Sequence, residues 1–293
     1  MKAYIHYVGD RPFSSDCASA ERGLTKLGFD CVRFSNDEDL AYADAEDMIV
    51  AGMLVTNGRL HSLGISPAAI EYPEQLRKYL RRTIWQDTVG NLESGIHWPV
   101  FVKPVEEKLL GGRVVSSPKD LVKYREADQR MELWCSDVLE LESEWRCYVQ
   151  DGRALGIIPY IRRKPNSRFD ETIIESAVRD LGRHPAGCAL DFGVTMDGET
   201  VLIEANDGYS LGNYGLDDAL YVSLLAARWE ELISQRRHLA NMLPLTHHFT
   251  ANGGKMMAVK REEPHDLPTT FRTQRPDRRT LHGDCRTRRD AGP

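Results

Sequence analysis

Two Asp-Gly steps, Asp151-Gly152 and Asp197-Gly198, constrain this chain more than any other feature. Each lies between runs of alternating apolar and polar residues, the strongest short-range signal for a tight antiparallel hairpin. Ser143 to Asp151 and Arg153 to Tyr160 form the first predicted pair of strands. Gly187 to Met196 and Glu199 to Asn206 form the second. The beginning of the chain follows a different pattern. Ala3 to Val8 reads as a strand, and Cys17, Ala20, Leu24 and Leu27 recur on one helix face. Ser15 or Asp16 can cap that helix, and Gly28 stands where a helix end takes positive φ. Cys31 to Phe34 and Met48 to Val55 are the next expected strands. Strand, helix, strand at this spacing predicts a βαβ unit with a parallel sheet.

Between these regions, Pro73 is expected to open a helix to about residue 85, with Leu76, Tyr79, Leu80 and Ile84 as its apolar stripe. It carries Arg77, Lys78, Arg81 and Arg82. Gly90 to Trp98 reads as a linker and puts a domain boundary near residue 90. Pro99 to Pro104 is an apolar strand interrupted by Lys103, which either snorkels to a sheet edge or meets an anion. The loop Glu106 to Gly112, a short strand at Val114 and Val115, and a helix from Ser117, Pro118 and Asp120 to about Ala127 follow. Leu133 to Leu141 reads as one strand. Asp170 caps a helix through Leu181, and Asp217 starts a last helix through Ser234.

Charge divides the chain. Of 38 Lys+Arg and 44 Asp+Glu, residues 250–293 hold ten and six, a balance of +4. Residues 1–249 are left with 28 and 38, a balance of -10. The tail has scattered prolines and few large apolar residues, so 241–293 is expected to be disordered. A net acidic body speaks against sequence-independent nucleic-acid binding. No apolar run reaches the roughly 18 residues of a membrane helix, and no secretory signal is visible at Met1 to Asp10. The six cysteines show neither a C-x-x-C pair nor zinc-like spacing and are expected to be reduced thiols of a cytoplasmic protein.

The second hairpin carries the chemistry. With Asp197 and Gly198 as a two-residue turn, Met196 pairs with Glu199 and Asp191 falls directly opposite Glu204. One face then gathers Leu190, Phe192, Val194, Val201, Ile203 and Ala205. The other gathers Asp191, Gly193, Thr195, Leu202, Glu204 and Asn206. Opposed carboxylates repel and need solvent, a shared proton or a cation. Mg²⁺ takes one or two carboxylates plus substrate phosphates; a solvated acidic face is the alternative. In the first hairpin the same arithmetic puts Trp145, Cys147 and Val149 on the apolar face and Glu144, Arg146 and Tyr148 on the polar one. Gly111-Gly112 could let backbone amides approach phosphate.

The succession FVKP with Lys103, a glycine-containing loop, a helix, the strand SEWRCYV and then ALDFGVTMDGETVLIEAND resembles the ATP-grasp superfamily over residues 70–235. The resemblance implies an α+β fold of two subdomains (91–132 and 133–240) after a small α/β domain (1–90). It implies that Asp191, Glu204 and Asn206 bind Mg²⁺ bridging the phosphates of ATP. Lys103 would contact the α- and β-phosphates. The segment from Asp137 through Leu139 to Glu140 would receive adenine, and Glu144 would hold the ribose. A second phosphate cation is assigned to Arg82, with Arg81 as alternative. The arginine common two residues before the metal Asp is replaced here by Ala189, so Arg146, Arg162 and Arg163 are candidates for its role. Lys108 would contact phosphate from the EEKLLGG loop, and Ser210 and Asn213 would line the acceptor site. The function implied is an ADP-forming ligase that joins a small-molecule or peptide carboxylate to an amine through an acylphosphate. A phosphotransferase and a non-catalytic ATP-binding module are the alternatives. Oligomeric state is not readable.

Overall fold

A computed structural model describes residues 2–95, 98–105 and 111–242, and only the backbone of 93–95 and 239–242. Lys108 and the expected disordered tail beyond residue 242 lie outside the described residues. The first strand, β1 (Lys2–Val8), buries Ala3, Tyr4, Ile5 and Tyr7, as a strand covered on both faces must. The short β2 (Arg11–Pro12) folds back on its end. Helix α1 (Ser15–Lys26) is capped by Ser14, whose hydroxyl accepts the Cys17 N–H, one residue earlier than expected. It buries Cys17, Ala20 and Leu24, whereas Leu27 is half exposed at its end. Strands β3 (Asp30–Phe34) and β4 (Met48–Val50) flank β1 and run parallel to it. The third strand is shorter than the expected 48–55. Its chain turns at Gly52 into α2 (Met53–Ser62), where the Thr56 hydroxyl bonds back to the Ala51 and Gly52 carbonyls.

The helix expected from Pro73 to residue 85 is instead a single 3₁₀ stretch, Glu74–Tyr79. Arg81 takes a positive φ of 53°, which no helix tolerates, and β5 (Ile84–Thr88) begins three residues later. The expected linker is also helical. In α3 (Val89–Gly95), Val89 and Leu92 are fully buried, so the boundary expected near residue 90 falls inside an element. Strands β6 (Val100–Pro104) and β7 (Arg113–Val115) pair, followed by a 3₁₀ turn at Pro118–Leu121 and α4 (Val122–Ala127). Asp120 accepts the Ser116 and Ser117 N–H groups at that start. Strand β8 (Glu132–Ser136) completes an antiparallel sheet in the order β5-β8-β6-β7. It stops at Ser136 rather than Leu141; Asp137 still bonds the facing Thr83, its N–H donating to the Thr83 carbonyl and its carboxylate accepting the Thr83 N–H.

A second antiparallel sheet, ordered β10-β9-β11-β12, holds both hairpins. These are β9 (Leu141–Gln150) with β10 (Arg153–Arg162), and β11 (Gly187–Thr195) with β12 (Thr200–Asp207). Helix α5 (Glu171–Asp180) covers one face: Ile174, Ala177 and Val178 meet Cys147, Val149, Leu190 and Phe192. On the other face, Tyr148 and Ala189 join the core of the parallel sheet together with α6 (Asp218–Met242). That last helix runs past the expected Ser234. Gly23 of α1 lets it approach closely, since a Cβ there would lie 2.2 Å from the Asp218 carbonyl oxygen.

Candidate active site

The second hairpin turns differently from its expected form. Thr195 pairs with Glu199, and Gly198 takes φ +87°, so three residues make the turn. Phe192 then pairs with Leu202, one position off the expected register. An extra residue, Ile203, enters β12 as a bulge, and beyond it Asp191 does face Glu204. The bulge also rearranges the faces. Leu202 packs in the core with Phe192, Leu190 and Ala205, rather than beside the carboxylates as expected. In the first hairpin Arg153–Gln150 and Ala154–Val149 pair as expected. Two irregularities then shift the rest, leaving Ile158 opposite Arg146 and Ile161 opposite Glu144.

Across the sheet, Arg146 of β9, Asp191 of β11 and Glu204 of β12 stand in one row. The Arg146 guanidinium donates from Nε to Asp191 Oδ1 and from Nη2 to Oδ2, both at 2.7 Å. Asn206 Nδ2 bridges the two carboxylates, at 3.1 Å from Asp191 and 3.2 Å from Glu204. Lys103 Nζ reaches from β6 to Glu204 Oε2 at 2.5 Å, with side-chain exposures of 17% and 25%. Its Nζ also lies 5.0 Å from the Tyr72 ring, and Trp134 meets that ring edge-on. Glu144, two residues before Arg146, accepts the Tyr160 hydroxyl at 3.0 Å. Tyr160 stacks on Tyr214, and both rings lie under the Arg146 guanidinium.

These groups shift one another. Burial pushes the Asp191 carboxyl above its ordinary value; Arg146 opposes that, and Glu204 and Glu144 add to it. Burial acts in the same direction on Glu204, but Lys103 and Asn206 outweigh it and hold Glu204 below its ordinary value. For Lys103, burial is outweighed by Glu204 and Tyr72, which keep the ammonium above its ordinary value. Two cations thus face three carboxylates, Asp191, Glu204 and Glu144. The row therefore carries a surplus of negative charge.

A cavity of about 240 Å³ adjoins this row. Phe101, Val114, Leu139, Leu141 and Ile203 supply apolar walls, while Ser136 to Leu139 lines one edge and Glu144 another. The Asp137 side chain itself accepts the Thr83 N–H at 2.9 Å. Arg163 lines the cavity, whereas Arg162 lies over the Trp145 ring, 4.8 Å from its centre. Arg82 borders the cavity, but its guanidinium is engaged by backbone: Nη1 with the Leu202 and Leu80 carbonyls, Nη2 with that of Ile203. In the loop after β12, the Tyr148 hydroxyl donates to the Gly212 carbonyl and accepts the Tyr214 N–H, and Asn213 N–H donates to Asp16. Cys147 and Cys188 are buried, which pushes both thiols up to about 12 and leaves them as packing groups.

The structure therefore brings together Lys103, Glu144, Arg146, Asp191, Glu204 and Asn206, with Leu139 and Asp137 at the adjoining cavity. Arg162 does not join them. Tyr72, Tyr160 and Tyr214 escaped the sequence reading. Only Tyr72 had a usable signal, because pairing FVKP with ELWCS sets its neighbour Trp134 opposite Lys103.

Residues 79–224 match the family described as ATP-grasp domain, R2K clade family 2. The chain carries an ATP-grasp domain. No curated protein sequence matches it significantly. Among solved structures, it is similar to a D-alanine--D-alanine ligase from Bacillus anthracis complexed with ATP. The TM-score is 0.48 at 17% identity, covering 81% of this chain and 98% of that one. An L-amino acid ligase from Bacillus licheniformis gives 0.49 at 15% identity, covering 78% and 74%. A macrocyclase from Microcystis aeruginosa MRC, bound with its precursor peptide, gives 0.41 at 12% identity, covering 80% and 100%. The α+β architecture of the ATP-grasp domain agrees with the expectation from sequence. No described helix is long and apolar enough to cross a membrane.

Proposed function

We propose that this protein is an ATP- and Mg²⁺-dependent ligase that joins a carboxylate to an amine and releases ADP and phosphate. The observation that supports this reading is the row Arg146, Asp191, Glu204, closed by Asn206 and Lys103, beside a cavity with apolar walls and Glu144 at its edge. Adenine would enter between Phe101, Leu139, Leu141 and Ile203 and meet the backbone of residues 136–139. Glu144 would take the ribose hydroxyls.

The donor set fits Mg²⁺. No group of three or more His, Cys, Asp or Glu suited to a metal occurs among the described residues, so an all-protein cage is not on offer. Two carboxylates and an amide are instead the partial shell that Mg²⁺ completes with phosphate oxygens and water. Asn206 now presents its amide N–H groups between the carboxylates; turned over, its oxygen would serve as ligand. Bound there, Mg²⁺ would neutralise phosphate charge and orient the γ-phosphoryl group.

Lys103 and Arg146 stabilise the charge that develops on the transferred group. The substrate carboxylate attacks the γ-phosphorus, forming an acylphosphate with ADP as leaving group. The amine then attacks the acyl carbon, phosphate departs, and the amine loses a proton. No protein nucleophile is needed. The test is phosphate release with ATP, Mg²⁺ and pooled amino acids and dipeptides. Release that depends on both a carboxylate and an amine supports the ligase, whereas a stable phosphorylated alcohol would assign a phosphotransferase. Nucleotide binding without turnover in any pool would leave a binding module.

A further inference from the structure

We infer that Arg82 is a positioning residue for the cation site: it holds the β12 bulge that turns Glu204 towards Asp191. The inference rests on the proposed reading of Asp191 and Glu204 as metal ligands. In an unbulged strand, residues two apart share a face. Glu204 would then follow Leu202 into the core beside Phe192, where no cation partner exists. The extra residue Ile203 reverses that alternation. Glu204 faces Asp191 and Arg146, and Ala205 takes its place in the core against Leu190.

A bulge takes backbone groups out of the ladder, and they need other partners. In a regular strand, successive carbonyls point to opposite edges. Here two successive carbonyls converge on one guanidinium, Leu202 at 2.8 Å and Ile203 at 2.7 Å. The planar Arg fork suits two acceptors at once, which the compact ammonium of lysine does not. Arg82 is held in turn by the Leu80 carbonyl at 3.1 Å and follows Arg81, whose positive φ bends the chain towards β12. The next outward group is also satisfied, since Ala205 N–H donates to the Glu71 carbonyl at 2.8 Å. Burial lowers the pKa of the Arg82 guanidinium, and Tyr72, Glu204 and Asp137 oppose that shift only in part.

The experiment separates this role from phosphate contact. ATP affinity is measured without divalent cation, and Mn²⁺ affinity of the ATP complex by electron paramagnetic resonance. Arg82→Ala and Arg82→Lys should each leave metal-free ATP affinity close to wild type and lower Mn²⁺ affinity about tenfold or more. If Arg82→Lys restores Mn²⁺ affinity, or if metal-free ATP binding falls as far as Mn²⁺ binding, Arg82 is a phosphate ligand and the inference is wrong. A second arm deletes Ile203, so that Glu204 follows Leu202 directly and faces Asp191 with no bulge. Adding Arg82→Ala to that deletion should cost no further Mn²⁺ affinity; an equal loss in both backgrounds overturns the inference. Asp191→Asn and Glu204→Gln serve as controls. If they too leave Mn²⁺ affinity unchanged, the metal reading fails; if only they lower it, the role of Arg82 fails alone.

Discussion

Two buried arginine–aspartate forks adjoin the same sheet. One is Arg146–Asp191; the other is Arg228–Asp207, with contacts of 2.7 and 2.6 Å. Arg228 also meets Glu231 at 2.7 Å, and Glu231 accepts the Ala186 N–H, so this fork ties α6 to the framework around β11 and β12. Arg146–Asp191 has a different neighbour: a second carboxylate, Glu204, directly across the ladder, reached by Lys103 from the other sheet. A bidentate fork alone therefore marks nothing. An opposed carboxylate reached by a lysine is what distinguishes the proposed cation site.

The largest effect should come from breaking the first fork. Asp191→Asn is expected to lower ATP-dependent phosphate release about 100-fold or more, since even the partners behind metal ligands are worth 10–100-fold. Asp207→Asn should reverse the pattern. Leaving Arg228 without its main partner should lower unfolding free energy by about 3–5 kcal/mol in urea titrations, with turnover per folded molecule close to wild type.

Lys103→Met sharpens the contrast through its opposite signs. It should weaken ATP binding yet strengthen nucleotide-free Mn²⁺ binding about tenfold, because it releases a charged hydrogen bond from Glu204. Calorimetric titration of ATP checks the first and paramagnetic titration of Mn²⁺ the second. A pH series gives a smaller signal. Glu204 is held below its ordinary value in the folded state, so its contribution is present above the unfolded carboxylate pKa. It is lost as pH falls through the lower folded value. The stability gap between wild type and Lys103→Met, read by urea unfolding, should close as pH falls through that acid window. Tyr214→Ala should have the smallest effect, about 1 kcal/mol of stability for the lost stack on Tyr160.

How much of this was legible in the sequence depends on which forces set each element. The parallel strands and the two hairpins follow from hydrophobic alternation and Gly turns and do form, although the third strand ends at Val50 and the second hairpin turns through three residues. The pairing of Asp191 with Glu204 was reached through two departures that cancel: a three-residue turn shifts the register by one, and Ile203 shifts it back. The one local sign of that bulge is the apolar pair Leu202-Ile203, which breaks the alternation and put Leu202 on the polar face. Arg82 was singled out as a phosphate cation, but its contacts were illegible, since its partners are backbone carbonyls that carry no side-chain signature. The helix expected at 73–85 failed at Arg81, where tertiary placement of Arg82 overrides helical spacing. The helix at 89–95 was hidden by Gly90 and Gly95 within it, and burial of Val89 and Leu92 forms it nonetheless.

The most direct test of the proposed site is ATP affinity with and without Mg²⁺, measured by calorimetry on wild type and Asp191→Asn. The account predicts that Mg²⁺ strengthens ATP binding by the wild-type protein and that this gain disappears in Asp191→Asn. An equal Mg²⁺ gain in both proteins, or wild-type ATP binding indifferent to Mg²⁺, would contradict it.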